Sequence, residues 1–180
     1  MDEHLACLES LRELEPVILE AANLILQAIS HGDKVLICGN GGSAADAQHF
    51  AAELVGRFQR ERRSLPALAL TTDTSILSAW ANDYSFDTVF ARQIEGLGRP
   101  GDVLVAISTS GRSRNVSLAA RTASSSGMRS IGLLGRDGGE IKGEVDVAVI
   151  VPNDNTARIQ EAHEFILHLW ADIVERSVST

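Results

Sequence analysis

Cysteine is scarce in this chain, with Cys7 and Cys38 the two thiols among 180 residues. They form neither a metal-type cluster nor a disulfide framework, and each falls in a segment that reads as regular structure. Both are expected to be reduced, buried side chains. Basic residues are also the minority, 16 Lys and Arg against 24 Asp and Glu, which leaves a formal charge of −8. Affinity for nucleic acid rests largely on Lys and Arg contacts to phosphate, so this balance argues against a nucleic-acid partner and for a small ligand. Uncharged apolar runs of about 18 residues are missing, and the opening MDEHLACLES places acids where a secretory leader needs a basic start. No membrane partner and a cytoplasmic location are expected. Repeats, low-complexity tracts and linkers are likewise missing, and the length suits one domain over residues 1–180.

What the chain does have is a series of short apolar runs: KVLIC (34–38), PALAL (66–70), DVLVAI (102–107), RSIGLL (129–134) and DVAVIV (146–151). Helical patterns over 44–60, 74–97 and 114–126 lie between most of them. Apolar strands alternating with helices predict an α/β fold, a three-layer αβα sandwich around a five-stranded parallel sheet. Two helical segments flank it, 1–31 and 154–178. The first carries Leu5, Leu8, Leu11, Leu14, Val17, Ile18, Ala21, Leu24, Ile25 and Ile29 at helical spacing, with Pro16 as a kink or break. No βαβ crossover fixes a sheet partner for this segment, so packing against another subunit is its expected home.

In an open parallel sheet, ligands bind beyond the carboxyl ends of the strands. Two loops there are rich in anion donors. GNGGS follows the first strand: Gly39, Gly41 and Gly42 allow close backbone approach, and Ser43 is placed to cap the next helix. STSGRS follows the third strand and offers the hydroxyls of Ser108, Thr109, Ser110 and Ser113 around Gly111, where a helix start presents free N–H groups. That set suits a phosphate monoester. GNGGSA also satisfies a dinucleotide fingerprint, but that motif needs an acid about 20 residues on, at the end of the second strand. The first acid after the second strand is Asp73, well beyond it. The basic run GRFQRERR brings Arg57, Arg60, Arg62 and Arg63 to the end of a helix, where positive charge complements the dipole or meets an anionic ligand or subunit.

On the helix that GNGGS opens, His49 and Glu53 are spaced i,i+4 and share a face, a pattern that suits a metal or a base with its orienting partner. The last helix presents Gln160, Glu161, Glu164 and His168. Gln160 and His168 lie two turns apart and about 80° apart around the axis, whereas His163 is about 140° from His168. The sequence AISTSG lacks the G-x-S-x-G elbow of serine hydrolases.

Together, GNGGSAADAQHFAAELVGRF, ISTSGRS, the AND of 81–83 and TARIQEAHEFILH resemble the phosphoheptose isomerases of the sugar isomerase (SIS) fold, in order and spacing over nearly the whole chain. The resemblance implies an aldose–ketose isomerase that converts sedoheptulose 7-phosphate to D-glycero-D-manno-heptose 7-phosphate, working as a cytoplasmic homotetramer with Zn2+. It further implies that Asn40, Gly41, Gly42, Asn82, Asp83, Gln160 and Glu53 contact the sugar, while Ser108, Thr109, Ser110 and Ser113 hold its phosphate. Glu53 and His168 match the catalytic pair, and His49, Glu53, Gln160 and His168 match the zinc ligands. A carboxylate bound to zinc is a poorer base, so Glu53 is asked to fill two conflicting roles. Arg112 stands where the family commonly has Asn. A related SIS group serves as a scaffold for the bacterial replication initiator and lacks the catalytic Glu and His, both of which this chain has. The resemblance also leads one to expect that a neighbouring subunit supplies the C-terminal helix of each site.

Overall fold

The apolar runs form strands β1 (Val35–Cys38), β2 (Ala67–Ala69), β3 (Val103–Ser108), β4 (Arg129–Gly135) and β5 (Val147–Val151) in a computed structural model that describes residues 1–178. Every neighbouring pair is parallel, and the strand order is β2-β1-β3-β4-β5. The central strands β1 and β3 are buried along their whole length. This is why they read as continuous apolar runs rather than as alternating ones.

Side chains leave the sheet alternately to two cores. Val35, Ile37, Val103, Val105, Ile107, Ile131 and Leu133 face the helices α2 (Glu15–His31), α3 (Gly42–Val55) and α7 (Thr156–Val178). Leu36, Cys38, Leu104, Ala106 and Leu134 face α5 (Val89–Leu97) and α6 (Arg114–Ser125). The expected αβα sandwich is therefore present. Both cysteines are free and buried, and burial pushes the Cys38 thiol up to about 12.

Three expectations need correction. The N-terminal stripe is divided into α1 (Asp2–Ser10), a 3-10 turn (Leu11–Leu14) and α2, with Pro16 in the first turn of α2, where its missing N–H costs no hydrogen bond. One face of α2 buries Ile18, Ala21, Ala22, Ile25, Ala28 and Ile29 against α7 and the sheet of its own chain, while Leu19 on the other side stays exposed. The helical pattern over 74–97 is interrupted: α4 (Thr74–Asp83) stops at Tyr84, whose φ of −131° and ψ of −90° are not helical, and Ser85 opens a short 3-10 turn before α5. Finally, α3 ends at Val55, so the arginine run lies beyond it. Arg57, Arg60 and Arg63 are exposed, but the Arg62 side chain is buried and donates to the carbonyls of Glu53 (2.6 Å), Leu54 (2.9 Å) and Gly56 (3.1 Å). It closes the C-terminus of α3, where unpaired carbonyls carry partial negative charge.

Candidate active site

The strand order reverses between β1 and β3, and the loops that leave them stand side by side at the carboxyl edge of the sheet. Gly41 takes a φ of +56° and is the N-cap of α3, so Ser43 lies inside the first turn instead of capping it. Asn40 faces the other loop through a reciprocal amide pair with Asn115, Nδ2 to Oδ1 at 2.8 Å and 2.9 Å in the two directions. In that loop the Ser108 and Ser113 hydroxyls are 2.9 Å apart, and the Ser110 hydroxyl accepts from the Arg112 N–H at 3.2 Å. Ser113 is the N-cap of α6, yet its side chain turns to Ser108 and caps nothing. Among the described residues, neither α3 nor α6 has a side-chain cap; Ser43 N–H already donates to the Asn40 carbonyl (3.0 Å) and Val116 N–H to the Ser113 carbonyl (3.1 Å), so it is the N–H groups of Gly42, Arg114 and Asn115 that face an anion.

The loop after β4 braces this arrangement. Gly111, at φ +64°, comes so close to it that a Cβ there would stand 2.1 Å from the Gly138 carbonyl. Arg112 reaches across to Asp137 at 2.8 Å, so its charge is engaged by a carboxylate on the surface.

From these loops α3 and α7 run side by side in a register that repeats about every two turns. At the first contact, Gln160 packs over Gly42, where an added Cβ would meet its Nε2 at 2.1 Å. About two turns further along, His49 Nε2 and His168 Nε2 are 2.9 Å apart. Another two turns on, the buried Glu175 carboxylate accepts the N–H groups of Phe58 (2.9 Å), Gln59 (2.7 Å) and Arg60 (2.8 Å) and pairs with Arg62. Burial alone would raise the Glu175 pKa, but these N–H donors and the Arg62 charge outweigh it and hold the carboxyl below its usual range. His49 and His168 thus meet within one chain.

Around the two histidines lie two carboxylates. Glu53 Oε1 is 3.5 Å from His49 Nε2, while Glu164 Oε1 is 3.1 Å from His49 Nε2 and 3.4 Å from His168 Nε2. Ligand atoms of His49, Glu164 and His168 all fall within 4.8 Å of one another, a set able to hold a metal ion. Imidazole and carboxylate suit zinc chemically. Behind them Asp46 has its pKa pushed up to about 7, first by burial and then by the Glu164 charge, against the opposing pull of His49. His163, by contrast, is fully buried away from this cluster. Its Nε2 donates to the Leu134 carbonyl at 3.0 Å, and burial pushes its pKa down to about 4.

The structure therefore gathers Asn40, Gly41, Gly42, Gln160, Ser108, Thr109, Ser110 and Ser113 at the two loops and their rim, and His49, Glu53 and His168 along the helix pair. Asn82 and Asp83 end α4 in exposed positions, and their one side-chain hydrogen bond among the described residues is to each other, at 2.8 Å. Two participants were not assigned from sequence. Asn115 looked like an ordinary helical residue, and its partner Asn40 is 75 positions away. Glu164 stands one turn before His168, so its i,i+4 spacing to that histidine was the available signal.

Residues 1–135 match the SIS domain family model. A phosphoheptose isomerase from Geotalea daltonii is 57% identical over 174 residues, covering 96% of this chain and 91% of the relative. Among solved structures, phosphoheptose isomerase GmhA from Neisseria gonorrhoeae superposes with a TM-score of 0.93 at 47% identity, covering 97% of this chain and 94% of its own. A phosphoheptose isomerase from Francisella tularensis gives 0.87 at 41% identity, with 89% and 86% covered. With identity of this order along almost the whole length, and with the strand order and paired loops described above, the chain belongs to the phosphoheptose isomerase family of SIS-domain proteins.

Proposed function

We propose that this protein is an aldose–ketose isomerase that interconverts sedoheptulose 7-phosphate and D-glycero-D-manno-heptose 7-phosphate in heptose biosynthesis, with the chain acting as one SIS domain. The observation that carries this reading is the meeting of His49, Glu53 and His168 on one helix pair whose starts adjoin two uncapped, hydroxyl-rich loops.

Isomerisation of the ketose moves one proton from C1 to C2 and shifts the carbonyl from C2 to C1. Glu53 takes the C1 proton, which generates the enediol, and returns it to C2. His168 serves the oxygens, protonating O2 and accepting the O1 proton, and the direction of reaction sets which residue acts first. The phosphate is held by Ser108, Thr109, Ser110 and Ser113 with the N–H groups that open α6. Asn40, Gly41, Gly42 and Gln160 contact the sugar chain, with Asn82 and Asp83 as further contacts. Zinc suits the donor set: His49, Glu53, Gln160 and His168 would hold it, with the Glu164 carboxylate beside the two imidazoles. When bound, it supplies Lewis-acid polarisation of the sugar oxygens.

A homotetramer in the cytoplasm completes the reading. It is supported by an apolar groove of about 360 Å³ between α1, α2 and α7, lined by Leu8, Leu11, Leu19, Phe165 and Leu169, with Leu19 and Phe165 more than two-fifths exposed. Among the described residues, no helix is long and apolar enough to cross a membrane.

The test is proton exchange with sedoheptulose 7-phosphate in D2O, followed by NMR at the carbon next to the carbonyl, for wild type and Glu53→Gln. Exchange and aldose formation in the wild type alone support the assignment. Absence of both from the metal-loaded wild type overturns it.

A further inference from the structure

We infer that Asn115 is a positioning residue for the reaction: its side chain fixes how the Asn40 amide is presented to the sugar, and so ties the sugar turn to the phosphate loop. The inference rests on the isomerase reading for what Asn40 contacts, whereas the tie between the two loops stands on geometry of its own. Asn115 is the second residue of α6 and is 4% exposed. Burying an amide is costly unless it is hydrogen-bonded. The Asn115 amide meets Asn40 in both directions, Nδ2 to Oδ1 at 2.8 Å and 2.9 Å, across the crevice where the strand order reverses.

The backbone of Asn40 is already set by its turn. Its carbonyl accepts the Ser43 N–H at 3.0 Å, and Gly41 follows it at φ +56°. Gly39 before it is packed so closely that a Cβ there would stand 2.7 Å from the Ser43 carbonyl oxygen. What the turn leaves free is rotation of the half-buried Asn40 side chain, and the reciprocal pair removes that freedom. Turning the Asn40 amide over by itself would set N–H against N–H and oxygen against oxygen. An amide has two N–H groups and two acceptor sites, and the pair uses one of each on Asn40. The remaining N–H and acceptor site are thereby aimed in fixed directions, as a contact to sugar hydroxyls requires. Asn115 also carries one of the N–H groups at the start of α6 that face an anion. Its backbone thus serves the phosphate end of the substrate while its side chain orders the sugar end. Such order matters to rate, because a misplacement of about 1 Å costs on the order of 10²-fold.

The test is a double-mutant cycle on Asn40→Ala and Asn115→Ala. It reads kcat/KM for sedoheptulose 7-phosphate and, separately, the inhibition constant of inorganic phosphate. Asn115→Ala is expected to lower kcat/KM by at least about tenfold and to leave inhibition by phosphate within about twofold of wild type. In the Asn40→Ala background it should cost less than about twofold, since a residue that acts through another loses its effect once the other is gone. Losses that multiply independently, an unchanged kcat/KM, or phosphate inhibition weakened as much as kcat/KM overturns the assignment. Ala is a good helix former, and thermal melts check that the fold is retained. Asn115→Leu, which fills the space without hydrogen bonds, is the second variant and should show the same tenfold loss. The Asn40 side-chain NH2 resonances, followed by NMR without substrate, should shift in Asn115→Ala, and unshifted resonances overturn the pairing. That readout uses no turnover, so a wild type with paired amides that fails to isomerise the sugar overturns the functional reading alone.

Discussion

The two ends of the parallel sheet make an instructive pair. At the amino end, charged side chains are tied to fixed partners. Asp102 accepts the N–H groups of Lys34 (3.0 Å) and Arg99 (2.8 Å) and pairs with the Lys34 ammonium. Asp146 accepts from Ser130 N–H at 2.7 Å and pairs with Arg129 at 3.2 Å. At the carboxyl end, the polar groups are hydroxyls and amides that bond to one another: Ser108 with Ser113, and Asn40 with Asn115. A carboxylate satisfied by several N–H groups has little left to offer a ligand. A hydroxyl or amide pair retains further donor and acceptor capacity. One edge thus stabilises the fold, and the other is set up for binding.

This contrast gives each edge its own mutational signature. The largest effect is expected from Glu53→Gln, which should lower kcat by about 10²–10⁴ while leaving the melting temperature unchanged. Steady-state kinetics beside a thermal melt would show it, and a parallel loss of stability would mean that Glu53 is a structural residue. Asp102→Ala should do the reverse: about 2 kcal/mol of stability lost, because it removes a buried carboxylate that accepts the N–H groups of Lys34 and Arg99, with KM and kcat unchanged at a temperature where the variant is folded. Urea denaturation measures the first and the assay the second.

His163 lies beneath the carboxyl end and tests the core between the two edges. Its folded pKa of about 4 is below the usual 6.5, so the unfolded chain takes up a proton first as pH falls. Its contribution is intact above pH 6.5 and is lost on the way down to about 4, amounting to roughly 3 kcal/mol. His163→Gln, which keeps a donor for the Leu134 carbonyl, should flatten the fall in urea midpoint between pH 7 and pH 4. An equally steep fall would assign the acid sensitivity to other groups. The smallest expected change is in Ser110→Ala, which removes one of several phosphate donors and should raise KM about fivefold at constant kcat. An unchanged KM would remove Ser110 from the phosphate site.

Much of this was legible before any coordinates. The five strands are where their apolar runs place them, because a parallel strand buried on both faces has no polar positions to blur its edges. The glycine turn and the serine loop were visible through their composition. The breaks were harder to see. Residues 74–97 contain neither proline nor an internal glycine before Gly96, so the periodicity runs straight through Tyr84, where the backbone leaves the helix. Arg62 looked like one more member of a solvated cluster, but its neighbours along the sequence are exposed while it alone turns inward to cap α3 and meet Glu175. Local spacing identifies which residues share a helix face. It does not say which helix lies opposite.

The sequence by itself determined the α/β architecture, the two loops rich in donors and the His and Glu residues that share helix faces, because these depend on apolar periodicity, glycine content and i,i+4 spacing within single segments. Only the tertiary structure decided that one face of α2 packs on α7 and the sheet, that His49 of α3 meets His168 of α7, and that Glu164 stands beside both imidazoles. Those outcomes depend on how α7 packs along α3. Their contacts join residues more than a hundred positions apart, and only the packing of the common core sets the register between them.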